Sequence, residues 1–155
     1  MTQASDPSPP SAPVPDAGRL RLVMWLVSGA MFMEILDGSI IVTALPDMAR
    51  SFGTTALELN IGISAYLLAL GVFIPVSGWV ADRVGARTVF AWAIALFTAT
   101  SALCAMSSDL YVFVALRVLQ GMSGAMMVPV GRLVVIRLTP KARLMVALQT
   151  LIWPA

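Results

Sequence analysis

Residues 59–106 decide the fold, and they read LNIGISAYLLALGVFIPVSGWVADRVGARTVFAWAIALFTATSALCAM. Two long uncharged runs flank a short charged segment: 23 residues separate Glu58 from Asp82, and 21 separate Arg87 from Asp109. A bilayer core of about 30 Å is crossed by about 20 helical residues that rise about 1.5 Å each. Each run is therefore long enough to span a membrane. The short segment between them predicts two antiparallel neighbouring helices.

Two further apolar stretches extend this pattern on either side. They are Leu22–Pro46, which contains Glu34 and Asp37, and Leu110–Gly131, which contains Arg117. The chain of 155 residues is 59% hydrophobic and 12% charged, with a mean hydropathy of +0.88, whereas a soluble domain carries about 25% charged residues. A soluble helical protein would also need polar stripes at helical spacing, which these runs lack. We therefore predict an all-α integral membrane protein with four transmembrane helices.

The expected transmembrane helices cover about residues 22–45, 59–81, 88–106 and 110–136. The first should end at Pro46, because proline does not extend a helix cleanly. A fifth apolar run covers 144–155, and its 12 residues are too few to cross a bilayer, so we expect an incomplete helix and a chain that is a fragment. Residues 1–18 contain five prolines among Ser, Ala and Asp, which predicts a disordered cytoplasmic tail. Residues 19–155 would then form a partial N-terminal transmembrane domain.

The basic residues are distributed unevenly between the two sides of this topology. Eight of the ten lie in segments that share one side, whereas Arg50 lies on the opposite side and Arg117 lies within a span. The positive-inside rule places the side with eight basic residues in the cytoplasm. We therefore expect a multi-pass protein with a cytoplasmic N-terminus.

The residue types present exclude several classes of function. The chain has no histidine and a single cysteine, Cys104, which excludes His-based zinc sites, Ser-His-Asp triads and an internal disulfide. Its basic residues anchor loops and do not form the solvated surface that nucleic-acid binding needs. We expect no enzyme activity, no metal and no cofactor, and we expect the lipid bilayer as the surrounding partner.

Three charged residues, Glu34, Asp37 and Arg117, lie inside predicted spans, where an unpaired charge is costly and therefore marks a functional candidate. At about 1.5 Å per residue, Asp37 lies about 12 Å and Arg117 about 10 Å below the outer ends of their helices. Glu34 lies one turn deeper, on the face of Asp37. We hypothesise one titratable cluster that faces a water-accessible cavity, holds a proton and releases it when a cation arrives. The alternative is an ion pair that only fixes helix packing.

The sequence GWVADRVGAR, which starts at Gly78, is the most specific local signal. Gly78 would allow close approach of helices, and Gly85 would permit a tight turn. Asp82 lies at the membrane surface with Arg83 and Arg87. These parts suit a charged latch that breaks and re-forms during a conformational cycle. A plain positive-inside loop would explain the arginines but not the aspartate or the glycine spacing.

The fourth predicted helix carries small residues one turn apart at Gly121 and Gly124. Small residues at such spacing let membrane helices pack closely. This signal by itself indicates helix packing more than contact with a substrate.

Taken together, these motifs resemble the major facilitator superfamily and, within it, the fourteen-helix drug:proton antiporter family. LDGSIIVTALP, at Leu36–Pro46, is similar to the helix 1 motif of that family, with Val42 where asparagine is usual. The segment that starts at Gly78 is similar to the motif between helices 2 and 3. RVLQGMSGA, at Arg117–Ala125, is similar to the helix 4 motif, whose arginine is associated with proton coupling. The resemblance covers almost everything from Leu22 onward.

The resemblance implies part of the N-terminal six-helix half of a transporter in a bacterial plasma (inner) membrane. Such transporters export hydrophobic or cationic compounds against proton influx by alternating access. It also implies a proton-coupling and substrate cavity lined by Arg117 and Gln120 together with Glu34 and Asp37. Since the chain would supply only part of one half, we expect it to be inactive alone, with the remaining transporter helices as partners.

Two alternatives stay open at this point. One is a major facilitator transporter of another solute, against which the Asp37 motif argues mildly. The other is a non-transporting membrane subunit or remnant that binds partner helices.

Overall fold

The computed structural model describes residues 17–138, so most of the predicted tail and all of the predicted fifth helix lie outside the described residues. Four helices account for nearly all of this part: α1 Ala17–Phe52, α2 Ala56–Val84, α3 Ala86–Met106 and α4 Leu110–Leu138. Each is long and apolar enough to cross a membrane. The prediction of an all-α membrane protein with four spanning helices is confirmed.

Helix α1 continues through Pro46, so the predicted end at this residue is wrong. Proline removes one backbone hydrogen bond, and membrane helices tolerate that loss when the neighbouring turns keep theirs. The helix instead ends before Gly53, which adopts a φ of +62°. There the amide of Thr54 donates to the carbonyl of Ala49 at 3.0 Å. Glycine adopts this left-handed conformation without steric cost, which makes Gly53 the actual stop signal.

The ends of α2 also differ from the predicted bounds 59–81. Thr55 and Glu58 form a capping box: the Glu58 amide donates to Thr55 Oγ1 at 3.2 Å, and the Thr55 amide donates to Glu58 Oε2 at 3.0 Å. These bonds satisfy amides that have no partner within the helix, so α2 begins at the next residue. At the other end, residues 82–87 are helical except Gly85, whose φ of +98° separates α2 from α3.

Asp109 caps the start of α4. Its Oδ1 atom accepts a hydrogen bond from the amide of Val112 at 3.0 Å, a role in which Asp and Asn serve about equally well. Two other helix starts precede the predicted ones. Helix α1 begins at Ala17 and includes the last two residues of the predicted tail, and α3 begins at Ala86.

Helix α4 lies at the centre of the bundle and packs against α1, α2 and α3. In an apolar 18-residue stretch of α4, 44% of the residues are buried, against 11% in the corresponding stretch of α1. Gly121 permits the approach of α4 to α2, since a Cβ atom there would lie 2.5 Å from the carbonyl oxygen of Tyr66 and 2.9 Å from the Cβ of Ala69. Large apolar side chains such as Leu68 and Trp92 are exposed, as expected of residues that face lipid.

Two apolar cores lie along α4, with polar side chains between them. The outer core, near the end of the bundle where α1 and α3 end, contains Ile41, Leu59, Cys104 and Phe113. The inner core, near the opposite end, is built mainly from α3 and α4, including Phe90, Phe97, Met127 and Val130. We call the group between these cores the polar layer: Asp37, Ser101, Arg117 and Gln120.

Candidate functional site

An ion pair between Asp37 of α1 and Arg117 of α4 lies at the centre of the polar layer. Arg117 Nη1 donates to Asp37 Oδ2 at 2.7 Å, and the side chains of Arg117 and Asp37 are only 3% and 10% exposed, respectively. This distance is typical of a charge-assisted hydrogen bond, which is stronger than one between neutral groups. The structure thus brings Asp37 and Arg117 into direct contact, in agreement with the similar depths estimated for them from the sequence.

Asp37 accepts two further hydrogen bonds. Gln120 Nε2 donates to Asp37 Oδ1 at 2.8 Å, and Ser101 Oγ of α3 donates to the same oxygen at 3.1 Å. Three helices therefore contribute to the site: α1 supplies the carboxylate, and α3 and α4 supply donors. A carboxylate with three donors is well compensated for its removal from water.

Glu34 lies one turn along α1 from Asp37 and contacts a different partner. Tyr66 Oη of α2 donates to Glu34 Oε1 at 3.3 Å. The Tyr66 ring in turn lies beneath the guanidinium of Arg117, with 5.7 Å between Arg117 Cζ and the ring centroid. Glu34 and Asp37 are therefore linked through Tyr66 and Arg117 and not by a shared ion pair.

Arg117 has hydrogen-bonding capacity that the described residues leave unused. Its Nε and Nη2 atoms and the Oε1 atom of Gln120 are buried, and within residues 17–138 no hydrogen-bond partner approaches them. The rings of Tyr66 and Phe113 lie 5.7 and 5.5 Å from Arg117 Cζ, close enough for cation–π attraction. The guanidinium is thus held by one ion pair and two aromatic faces, and its Nε and Nη2 nitrogens have no acceptor among the described residues.

A cavity of about 410 Å³ extends from the ion pair towards the outer end of the bundle. Asp37 and Arg117 line its inner part, Cys104 its middle, and Phe52 and Ser107 its outer part. Cavities that bind small molecules have volumes of about 300–1,000 Å³ and combine apolar walls with a few polar groups. Among the described helices, the buried charges are therefore connected to a space large enough for a small ligand.

The segment from Gly78 to Arg87 has a defined geometry that only partly follows the expectation. Gly85 adopts a φ of +98°, a backbone conformation that residues other than glycine rarely adopt. Arg83 Cζ stacks over the Trp79 ring at 4.7 Å, and Asp82, Arg83 and Arg87 are all exposed. The expected close helix approach at Gly78 is not found: within residues 17–138, a Cβ atom there would meet nothing within 4 Å.

The two small residues of α4 have different surroundings. Gly121 contacts the backbone of α2, as described above, and so permits helix packing. Gly124 faces the second acid: a Cβ atom there would lie 3.1 Å from Glu34 Oε1 and 3.3 Å from Tyr66 Oη. Its missing side chain therefore provides room for the Glu34–Tyr66 hydrogen bond, a role that helix spacing alone does not indicate.

Comparison with known proteins identifies the family. Residues 27–151 match the family model of the Major Facilitator Superfamily. The chain belongs to this superfamily. The resemblance of the sequence motifs to the major facilitator superfamily is thereby confirmed, and the four spanning helices are those of a multi-pass membrane protein.

Relatives within the superfamily are provisionally named multidrug resistance protein MdtD. The protein from Cronobacter sakazakii is 50% identical over 129 residues, which are 83% of this chain and 27% of the relative. The one from Klebsiella pneumoniae is 49% identical over the same length, and the one from Salmonella typhimurium is 47% identical over 135 residues, 28% of its length. The chain thus spans about a quarter of the length of these relatives.

Two side chains of the site, Ser101 and Tyr66, carry no clear signal in the sequence of this superfamily member. Ser101 lies in an apolar run where hydroxyls usually bond to their own helix, as Thr98 Oγ1 does to the Ile94 carbonyl at 2.8 Å. Tyr66 lies in a part of α2 that resembles the family, but its sequence context shows no role for the hydroxyl. A polar side chain flanked by small residues was the only available signal for Ser101, and it is a weak one.

Proposed function

We propose that this chain is the N-terminal part of a proton-coupled exporter of hydrophobic or cationic compounds. The observation that carries the proposal is the buried Asp37–Arg117 pair at the inner part of the cavity. Charges inside a bilayer are rare, and they mark the paths of ions and substrates. The names of the relatives support multidrug compounds as the substrate class.

The charge balance of the site supports exchange of a proton for a cation. Glu34 and Asp37 bring two carboxyl groups to one arginine, Arg117, so full ionisation leaves one negative charge without a counter-ion. An uncompensated charge at this depth is unfavourable, and either a bound proton or a bound organic cation removes it. Because both ligands neutralise the same charge, binding of one opposes binding of the other, which is the requirement for antiport.

A transport cycle needs more than this chain contains. Alternating access moves two repeats of a transporter relative to each other around a central site, and the chain covers about a quarter of its relatives. We therefore propose that it is inactive alone and acts with the remaining helices of a fourteen-helix protein. The positive-inside bias supports a cytoplasmic N-terminus in a bacterial inner membrane. In that orientation the exposed Asp82, Arg83 and Arg87 lie at the cytoplasmic surface, where a conformational latch would act.

The proposal can be tested by joining this chain to the part of the Cronobacter sakazakii relative that it does not match. Efflux of a fluorescent organic cation is measured in drug-sensitive bacterial cells, with and without a protonophore. We expect the fusion to export the cation only when a proton gradient is present. Asp37→Asn should abolish export, whereas Asp109→Asn, the same change at a helix cap that accepts asparagine, should not.

Each other outcome contradicts a specific part of the proposal. Export that continues in the presence of the protonophore would contradict the proposed coupling to protons. Export by the 155-residue chain without the fused part would show that it is active alone. A fusion that reaches the membrane but moves only an uncharged solute would favour a transporter of another substrate, and one that moves nothing would favour a subunit that binds partner helices.

A further inference from the structure

We propose that the cavity at the outer end of the bundle is a binding site for a small quaternary ammonium cation. We call it the outer cavity; helices α1, α3 and α4 form its walls, and its lining includes Asp47, Phe52, Cys104 and Phe113. Its volume of about 410 Å³ lies in the range of small-molecule sites. Because three helices of this chain supply the walls, we expect the chain to bind the cation by itself. The inference thereby goes beyond the proposed function, which requires the remaining helices of a transporter.

The charges that line the outer cavity favour a cation. At its inner part the Asp37 carboxylate is matched by Arg117, whose Nη1 atom donates to it at 2.7 Å. At its outer part lies a second carboxylate, Asp47, and among residues 17–138 no second basic residue lines the cavity. Arg50 pairs with Asp47 at 3.1 Å, but both side chains are 79% exposed, and exposed ion pairs contribute little. The lining therefore carries more negative than positive charge.

Two phenylalanine rings form an aromatic wall in the outer cavity. Phe52 and Phe113 meet edge to face, with 6.0 Å between the ring centroids and 77° between the ring planes. Aromatic faces attract cations, and recognition of quaternary ammonium ligands is the best-known use of this attraction. Phe113 already lies 5.5 Å from Cζ of Arg117, measured to the ring centroid. Phe52 is partly exposed, which makes it the ring that a ligand in the cavity would contact.

The hydrogen-bonding groups of the outer cavity favour a cation without N–H groups. A primary ammonium group carries three donors, which need acceptors when the group leaves water. The Asp37 carboxylate already accepts hydrogen bonds from Arg117, Gln120 and Ser101, and the wall beside it includes the apolar side chain of Ile41. A quaternary ammonium group has no N–H to satisfy, and its alkyl groups can pack against such walls. The lining therefore suits alkylated ammonium groups better than primary ones.

Cys104 reports whether the outer cavity is occupied. It lines the middle of the cavity and is the only cysteine in the chain. Its side chain is 6% exposed, so the cavity is the route by which a reagent reaches the thiol. A ligand in the cavity should therefore slow alkylation of Cys104, and an alkylated Cys104 should exclude the ligand.

The test measures the rate at which N-methylmaleimide alkylates Cys104 in the full 155-residue chain in lipid vesicles. Three probes share a hydroxyethyl group: choline is quaternary, ethanolamine is its primary analogue, and neohexyl alcohol is its uncharged carbon analogue. We expect choline to slow alkylation with a saturable dependence on concentration, and the other two probes to protect less at equal concentration.

Substitutions in the lining locate the choline site. Asp47→Asn and Phe52→Leu should each raise the choline concentration for half-protection about two- to fivefold, the effect of one exposed charge or one cation–π contact. Asp109→Asn and Phe32→Leu are the matched controls, since neither residue lines the outer cavity, and they should leave that concentration unchanged. Circular dichroism shows whether each variant keeps its helices.

Two results would overturn the proposal. Protection by ethanolamine or neohexyl alcohol equal to that by choline would show that the cavity does not select a quaternary cation. An unchanged half-protection concentration in both Asp47→Asn and Phe52→Leu would show that choline binds elsewhere.

A second measurement does not depend on the reactivity of the thiol. Saturation-transfer NMR detects choline bound to the same chain, and Ala44→Phe, which places a ring in the outer cavity, should abolish the signal. No signal with the unmodified chain, or an equal signal with Ala44→Phe, contradicts the proposal. Export by the fusion without choline binding would refute this site and leave the proposed function standing. Choline binding with a fusion that exports nothing would refute the proposed function and leave this site standing.

Discussion

Replacement of Gly121 by alanine should separate α2 from α4. The added Cβ atom would lie 2.5 Å from the carbonyl oxygen of Tyr66, about 0.9 Å closer than the 3.4 Å at which ordinary contacts begin. The carbonyl belongs to the backbone of α2 and cannot rotate away as a side chain could, so the helices must move apart. Overpacking of this kind costs about 1–3 kcal/mol, and we expect Gly121→Ala to lie in the upper part of that range.

The assay is unfolding of the chain in mixed detergent micelles, followed by helical circular dichroism as the denaturing detergent is increased. Gly71→Ala is the matched control, since it lies in a helix where a Cβ atom would meet nothing within 4 Å among the described residues. It should raise stability by up to about 1 kcal/mol, because alanine favours helix more than glycine does. Ala69→Gly in the Gly121→Ala background should restore only part of the loss, since the Tyr66 carbonyl still obstructs the new methyl group.

Equal stability of Gly121→Ala and the unmodified chain would refute this reasoning. It would mean that α2 and α4 do not approach as closely as the structure shows at this point. A complete rescue by Ala69→Gly would instead show that the side chain of Ala69, and not the backbone of Tyr66, sets the distance between the helices.

Three further substitutions test the polar layer and the turn between α2 and α3, with the same unfolding measurement. Asp37→Asn should lower the free energy of unfolding by about 3–5 kcal/mol, because Arg117 stays buried without a counter-ion; a loss no larger than that of Asp109→Asn would contradict this. Ser101→Ala should cost about 1.5–3 kcal/mol, the usual contribution of a hydrogen bond to a charged group, and an unchanged midpoint would show that its 3.1 Å contact with Asp37 contributes nothing. Gly85→Ala should lower the free energy of unfolding by about 1–3 kcal/mol, because the φ of +98° at this position is strained for any residue other than glycine. An increase in stability like that expected for Gly71→Ala would show that the turn is not strained.

The central contact of the site could be predicted from the sequence, but its remaining partners could not. Counting residues from the helix ends places Asp37 and Arg117 at similar depths, and opposite charges at one depth in a bilayer are expected to pair. The same counting gives no information about which neighbouring helix a side chain faces. Ser101 and Tyr66 were missed for that reason, because each becomes a partner only through the rotation of its helix about its own axis.

The sequence by itself determined that this protein crosses a membrane four times within its first 138 residues, and which charges lie inside the spans. Both follow from local properties, since the number of uncharged residues in a run is compared with the thickness of a bilayer. Only the tertiary structure decided that α4 is central, that Glu34 bonds to Tyr66 and that Ser101 donates to Asp37. It also decided that α1 continues past Pro46. A run of apolar residues is equally compatible with any rotation in lipid, and the close contact at Gly121 that selects one rotation depends on residues far apart in the chain.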